Sequence, residues 1–293
     1  MKLGYRNQKR GRAAIIIIVL LPVCVACLVP LWIIIAASFT DNARLSADGY
    51  RLLPSKLSLE AYRYLLVKPN LILTAYKVSL FTTVVGTVLA LFAMSTLAYP
   101  MSRRSFRFRN VLSFFVFFTM LFNGGLVPTY ILITRYLHLK NNIFVLILPL
   151  LVNPFYVLLL RTYFRGLPDD LFDAAKLDGA GEFRVFAQIA VPLSTPALAT
   201  VGLLCMLDLW NNMYLALLYI DEKTLYPLQY LLYTLIDSMN MIQEGATYTG
   251  TATPYLSVRM AMAVLAIAPV LLSFLFIQRY FVRGITLGGL KGD

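Results

Sequence analysis

The chain of 293 residues is 59% hydrophobic and only 14% charged, with a mean hydropathy of +0.74, which excludes an ordinary water-soluble domain. Its formal net charge is +12, but the basic residues are scattered at the ends of apolar segments. This scatter argues against a nucleic-acid-binding patch, so no nucleic acid is expected among the partners. The lipid bilayer is the expected environment.

Long windows without charged residues predict six transmembrane helices, at about residues 13–39, 78–102, 110–134, 141–163, 194–220 and 260–279. Crossing about 30 Å of hydrocarbon takes about 20 helical residues, and backbone groups in lipid must be hydrogen-bonded internally. The alternating pattern of a membrane β-barrel is absent from the sequence. We therefore expect an all-α membrane protein in which residues 1–293 form a single transmembrane domain.

The distribution of lysine and arginine orients these spans. With the N-terminus inside, the cytoplasmic segments hold 16 basic residues in 58 positions, and the outer segments hold 10 in 82. Cytoplasmic loops of membrane proteins carry such an excess. Both termini are therefore predicted in the cytoplasm, with a cytoplasmic tail at 280–293.

The first span follows a basic segment, as the core of a signal peptide does. Its apolar run, Ala13–Ala37, is longer than the about 7–15 residues of a signal-peptide core, which predicts an uncleaved anchor. Cys24 and Cys27 lie in this run without a histidine or acidic neighbour. Together with Cys205 they are predicted to be packing residues, with neither a disulfide nor a metal.

Polar residues inside two later spans are candidates for a transport path. Asn123 lies in the third span, where a carboxamide needs a partner, and both helix packing and path lining would supply one. In the fifth span, an acidic residue and several amides lie beside aromatic rings, which suit sugar hydroxyls and sugar ring faces. The alternative is an aromatic belt at the outer interface. The predicted path residues are Asn123, Asp208, Trp210, Asn211, Asn212 and Tyr214.

A polar stretch at 165–192, between spans four and five, predicts a short helix, a turn and a second helical segment. The first helix is expected at Asp170–Leu177, with Asp169 or Asp170 as its cap. Gly179 is expected to adopt the positive φ of a helix C-terminus. The second segment is predicted over Glu182–Ala190. The stretch therefore forms a helical surface element on the cytoplasmic side.

This stretch resembles the cytoplasmic coupling motif of ABC-importer permeases, Glu-Ala-Ala followed by Asp-Gly-Ala and Ile-x-Leu-Pro. The chain departs from the motif with Asp173 for the opening glutamate and Val191 for the leucine, while the spacing is intact. The resemblance implies a coupling helix that docks onto an ATPase. Its residues here are Asp173, Ala174, Ala175, Asp178, Gly179, Ala180, Gly181, Ile189 and Pro192.

Further segments resemble the carbohydrate-importing, maltose-type members of that family. The pair Trp210-Asn211 and the phrase Phe122–Tyr130 are similar to sugar-importing branches, the latter to the one for complex oligosaccharides. The glycine-rich C-terminus resembles a tail that faces the ATPase, with Thr286, Gly288, Gly289 and Lys291 as its residues. The resemblance implies a non-catalytic permease subunit in the bacterial cytoplasmic (inner) membrane.

The same resemblance implies the partners. They are a second homologous permease subunit, two copies of a cytoplasmic ATPase that carry ATP and Mg²⁺, and an extracytoplasmic sugar-binding protein. No cofactor is expected in this chain itself.

The outer loop at 221–258 is long and rich in hydroxyl groups. In related maltose-type permeases this loop enters the cleft of the binding protein, and the residues predicted to do so here are Thr247, Tyr248, Thr249 and Thr251. The alternative is a surface connection whose tyrosines lie at the lipid interface.

No catalytic motif competes with transport. A phosphate loop, a zinc-protease helix and a nucleophile elbow are all absent from the sequence, which contains one histidine. The remaining alternative is a stand-alone secondary transporter that uses Asp208 for ion coupling. An internal repeat would favour it, and none is visible.

Overall fold

The computed structural model describes residues 2–67, 69–246 and 255–288. Within those ranges the regular structure is helical, apart from an isolated antiparallel bridge between Thr40 and Leu57. The α-helices are α1 (Lys2–Ser38), α2 (Asn42–Asp48), α3 (Glu60–Leu65), α4 (Pro69–Ser102), α5 (Arg109–Leu121), α6 (Leu126–Ile131), α7 (Pro154–Arg165), α8 (Asp169–Leu177), α9 (Glu182–Val185), α10 (Val191–Leu193), α11 (Thr195–Asn211), α12 (Tyr214–Tyr219), α13 (Leu228–Ala246) and α14 (Tyr255–Gly288). Leu132–Tyr136 and Phe186–Ala190 are π-helical, and Ile143–Leu146, Leu148–Leu150 and Lys223–Leu225 are 3₁₀ turns.

In the described ranges, three single helical segments are long and apolar enough to cross a membrane: Ile18–Ser38, Pro69–Ser102 and Leu256–Leu275. Three bent pairs of helices meet the same requirement: Arg109–Leu121 with Leu126–Tyr136, Ile143–Leu150 with Pro154–Arg165, and Glu182–Leu193 with Thr195–Asn211. With each bent pair counted as one span, every predicted span has a helical counterpart. The protein is an all-helical membrane protein.

The bends lie where the sequence interrupts a helix. The first pair turns by 111° beyond Asn123, whose carboxamide oxygen accepts a 2.9 Å hydrogen bond from Gly125 N–H. Gly125 has φ +84°, a conformation that favours glycine. The second pair turns by 51° before Pro154, which lacks an N–H, and the third turns by 81° at Ser194.

Two helix boundaries differ from the prediction. Helix α14 starts before the predicted 260–279 and continues beyond it to Gly288. Its early start follows from packing, because Val258 and Met262 are fully buried. The second difference is small: the helical segment predicted over Glu182–Ala190 continues to Leu193, just before the bend that begins α11.

The chain divides into two compact units. The first comprises Met1–Pro69 and Leu235–Ala268. In it, Asn42 Oδ1 accepts hydrogen bonds from the N–H groups of Leu256 and Ser257 at the start of α14. Asp41 accepts from two N–H groups of α2 and from Lys56, and the hydrogen bond from Lys56 holds its pKa below the ordinary value. These contacts order the segment that follows α1.

The second unit comprises Asn70–Thr234 and Pro269–Asp293. Its core is formed mainly by α4, α7, α8 and α11, with Met94, Val157, Leu160 and Val201 fully buried. Helices α4 and α11 approach closely at glycines. A Cβ atom on Gly86 would lie only 2.8 Å from Leu209 Cδ1. The position of Leu209, the neighbour of Asp208, is thus fixed by its close packing against Gly86.

A compact turn joins the third and fourth spans, which are the first two bent pairs, in this unit. His138 and Asn141 both have positive φ, at 51° and 55°. Asn141 N–H donates to Tyr219 O (2.9 Å), and Lys140 Nζ pairs with Asp221 Oδ2 at 2.9 Å. The hydrogen bond to Asp221 raises the pKa of Lys140 above its ordinary value. The turn is therefore fastened to the end of α12.

Candidate coupling surface and transport path

Helix α8 ends in a fully formed Schellman turn at Gly179. Gly179 has φ +78°, its N–H donates to Lys176 O (3.0 Å), and Ala180 N–H donates to Ala175 O (2.9 Å). The predicted positive φ is confirmed. The predicted cap at the other end is wrong, since the capping position is Pro168 and makes no side-chain hydrogen bond. Asp169 and Asp170 lie in the first turn instead, where their negative charges interact favourably with the positive end of the helix dipole.

One face of α8 is buried and the other is open. Phe172 is 1% exposed and packs in the core with Tyr99. On the open side, Leu177 is 90% exposed, and Phe183 in the next helix is 73% exposed. These two apolar side chains are therefore open to contact with another protein.

The predicted coupling residues divide between these two faces. Ala175, Ala180 and Ile189 pack partly against the core. The others are exposed: Asp173, Ala174, Asp178, Gly179, Gly181 and Pro192. Some residues of the motif therefore pack the element against the core, and the others form its exposed surface.

The end of α4 and the residue that follows it, Arg103, hold this element through two sets of contacts. Arg103 lies with its guanidinium carbon 3.6 Å from the Phe172 ring centroid and pairs with Asp169 at 3.1 Å. Tyr99 O–H donates to Glu182 Oε2 at 3.3 Å, and Lys176 pairs with Glu182 Oε1 at 2.8 Å. Both segments of the polar stretch are therefore joined to one helix.

The predicted path contains one carboxylate in a well-defined setting. Asp208 Oδ2 accepts a 2.9 Å hydrogen bond from the hydroxyl of Tyr156, although its side chain is exposed in this chain. The two residues border a cavity of about 190 Å³ that Asn153 and Cys205 also line. Tyr156 is in the first turn of α7, which Asn153 caps through Phe155 N–H.

The other predicted path residues have different surroundings. Trp210 is only 4% exposed and packs against Tyr76, with 6.5 Å between ring centroids. Asn212 accepts a hydrogen bond from Leu215 N–H and so shapes the break between α11 and α12. Asn211 and Tyr214 are exposed, and exposed Asn123 forms the turn to Gly125.

Several predicted positions lie outside the described residues. They are Thr247, Tyr248, Thr249 and Thr251 of the outer loop and Gly289 and Lys291 of the tail. The backbone of Thr286 and Gly288 is described, and it belongs to α14. In the part of the chain that the structure describes, no group of three or more potential metal ligands is present.

Sequence reasoning missed Tyr99, Arg103 and Tyr156. Arg103 was interpreted only as an orientation signal, because it belongs to a basic run at 103–109. Tyr99 and Tyr156 lie inside apolar windows without a local motif. The one sequence feature that could have pointed to these two tyrosines is a hydroxyl group inside an apolar span, which needs a hydrogen-bond partner there.

Comparisons with known proteins agree with this architecture. Residues 83–287 match the model of the family described as binding-protein-dependent transport system inner membrane component. Protein LplC of Bacillus subtilis is 38% identical over 90% of this chain and 90% of its own length. The Bacillus subtilis polygalacturonan/rhamnogalacturonan permease YtcP is 37% identical over 93% of this chain and 96% of its own.

A solved structure shares the fold. It is the crystal structure of a bacterial ABC transporter involved in importing the acidic polysaccharide alginate. One of its chains superposes with a TM-score of 0.79 and 30% identity, over 93% of this chain and 97% of that one. The alternative of a stand-alone secondary transporter is therefore not retained. The chain belongs to the inner-membrane components of binding-protein-dependent ABC importers, as a multi-pass, non-catalytic permease subunit whose ATPase is a separate partner.

Proposed function

We propose that this permease carries an oligosaccharide across the inner membrane by alternating access, and that the open face of α8 is where the ATPase docks. The observation that carries the docking proposal is the exposure of Leu177 on a helix whose opposite side, at Phe172, is buried. The substrate class is supported by relatives named for polygalacturonan, rhamnogalacturonan and arabinooligosaccharides.

The proposed complex contains a second homologous permease subunit and two copies of the ATPase, which bind ATP and Mg²⁺. Closure of the ATPase pair moves the coupling helices, and rigid-body rotation of the spans opens the path outward. The chain's contribution is a docking surface whose contacts differ between the two states, because only differential contacts shift such an equilibrium.

Rigid attachment of the docking surface supports this mechanism. A displacement of α8 would be passed to α4, because Arg103, the residue after the end of α4, contacts both Phe172 and Asp169 of α8. Coupling along a chain of packed groups requires a contiguous set of contacts, and this one joins the surface to a membrane span.

At the opposite side of the membrane, we place the sugar-binding protein against the outer loop. The hydroxyl-bearing residues Thr247, Tyr248, Thr249 and Thr251 are proposed to enter its cleft and compete for the sugar's site. Within the spans, Asp208, Asn211 and Tyr214 are the exposed polar groups proposed to contact the sugar. The tail residues Thr286, Gly288, Gly289 and Lys291 are proposed to face the ATPase.

The docking proposal is tested by placing a charge on the apolar surface. Leu177→Asp should abolish co-purification of the ATPase with the permease in mild detergent, while membrane insertion is unchanged. The matched control is Leu53→Asp, because Leu53 is 73% exposed but lies in the predicted outer segment 41–77. Retention of the ATPase by Leu177→Asp at the wild-type ratio would refute the docking surface.

A further inference from the structure

A cavity of about 570 Å³ lies where the end of α4 meets the polar stretch 165–192. Its lining includes Thr96 and Pro100 of α4, and Lys176 and Glu182 of the polar stretch. Thr96 is six residues before the end of α4 at Ser102, which is about 9 Å along the helix axis. The cavity therefore extends from within a membrane-spanning helix to the charged surface that follows it.

The lining near α4 is apolar. Its ring side chains are those of Pro100, Phe106 and Phe186. The hydroxyl of Thr96 donates to Phe92 O over 2.7 Å, so the polar atom of this residue is already engaged by the helix backbone. This part of the cavity suits a hydrocarbon chain, because it offers a hydrated ion no replacement for its water.

The opposite part of the lining carries charge. Arg103 and Lys176 contribute two positive charges, and Glu182 contributes one negative charge. Both cations are partly neutralised, because Arg103 pairs with Asp169 at 3.1 Å and Lys176 pairs with Glu182 at 2.8 Å. Ser105 also lines the cavity, and its exposed hydroxyl makes no hydrogen bond to the described residues. A hydrogen-bond donor is thus free beside a positively charged wall.

The arginines that flank Ser105 add further positive charge. Arg104 and Arg107 are exposed and form no ion pair within the described ranges. Four of the seven residues at 103–109 are arginine, and they directly follow a membrane-spanning helix. Basic clusters in that position attract the headgroups of anionic lipids. The orientation of the chain accounts for the charge of this run, but it does not account for a cavity beside it.

We propose that this cavity binds an anionic membrane lipid. Its phosphodiester accepts hydrogen bonds from the Ser105 hydroxyl and the Arg104 guanidinium, which matches phosphate geometry, and one acyl chain lies along the rings of Phe106 and Phe186. A free phosphate ion would leave those rings uncovered. The proposal depends on neither the sugar nor the transport path. Since Lys176 and Glu182 line the same cavity, the bound lipid contacts the element that carries the open face of α8.

A photoactivatable lipid tests the site directly. The permease, assembled with its partner permease and ATPase, is placed in phosphatidylcholine nanodiscs that contain phosphatidylglycerol with a photoactivatable acyl chain. After illumination, mass spectrometry measures the lipid attached to residues 100–106. Phosphatidylcholine with the same photoactivatable chain should label this segment about fivefold less, because its headgroup has no net charge. Equal labelling by the two lipids would overturn the selection of an anionic headgroup.

Matched substitutions locate the headgroup. Ser105→Asp should reduce labelling by phosphatidylglycerol about fivefold, because a negative charge then faces the phosphodiester. Ser105→Asn, of the same size but uncharged, should retain most of the labelling. Asn110→Asp adds the same charge at an exposed position next to the basic run but outside the lining, and should leave the labelling unchanged.

Two further results would count against the lipid. Equal labelling of Ser105→Asp and Asn110→Asp would show that the headgroup lies elsewhere. Loss of labelling on addition of inorganic phosphate, at constant ionic strength, would show that the site takes a small anion and not a lipid. Labelling that survives added phosphate and falls in Ser105→Asp alone is the result expected.

Discussion

Gly179 and Gly181 stand two residues apart at the end of the same helix, yet their backbones differ. Gly179 has φ +78°, whereas Gly181 has φ −67°. A Cβ atom at either position would meet nothing within 4 Å, so crowding does not distinguish them. Only the dihedral angle does, which makes the pair a controlled comparison of backbone strain.

We expect Gly179→Ala to destabilise the Schellman turn by about 1–2 kcal/mol, the cost of a left-handed conformation for a residue with a side chain. Gly181→Ala introduces no positive-φ strain and should therefore lose less activity than Gly179→Ala. The measurement is ATPase activity that depends on binding protein and substrate, in reconstituted complexes of equal permease content. Equal losses in the two variants would contradict the role assigned to the positive φ.

At the scale of elements, the connection between α4 and α8 depends on Arg103. Arg103→Ala removes a cation–π contact with Phe172 and the ion pair with Asp169, which is largely exposed and therefore weak. We expect ATPase binding to weaken about fivefold, the equivalent of about 1 kcal/mol. Arg107→Ala is the control, since Arg107 is exposed in the same basic run.

Arg103→Lys refines this prediction. A lysine keeps the charge but lacks the planar guanidinium that lies over the ring, so it should restore only part of the binding. Titration of the purified permease complex with labelled ATPase gives the affinities. Wild-type affinity in Arg103→Ala would show that the contact has no part in docking.

The elements themselves were largely predictable from the sequence. Charge-free windows located the spans, and two of the bends coincide with the Asn-Gly-Gly sequence at 123–125 and the Asn-Pro sequence at 153–154. The bend angles were not predictable, because they depend on packing against other helices. The same reason accounts for the missed contacts: Tyr156 and Asp208 are 52 residues apart, and Tyr99 and Glu182 are 83 apart. No local pattern encodes such pairs.

For the whole molecule, the orientation in the membrane stays a prediction from the basic residues. Ser105 and Asp237 are both exposed and belong to segments assigned to opposite sides. In a cysteine-free background, Ser105→Cys should react with a membrane-impermeant maleimide only in inside-out vesicles. Asp237→Cys should react only when the reagent is added outside cells whose outer barrier has been removed but whose inner membrane is intact. The reverse pattern would invert the orientation and remove α8 from the cytoplasm.

The length of α4 has a mechanical consequence. Tyr99 joins it to Glu182 at one end, and 20 residues earlier, about 30 Å away, Ser79 Oγ accepts a 2.7 Å hydrogen bond from Leu228 N–H. The helix runs unbroken between these two contacts, and its proline, Pro100, lies beyond them. A lateral shift imposed at Glu182 is therefore not absorbed by a kink on the way. We expect such a shift to tilt α4 as one stiff body and so to move Leu228, the first residue of α13.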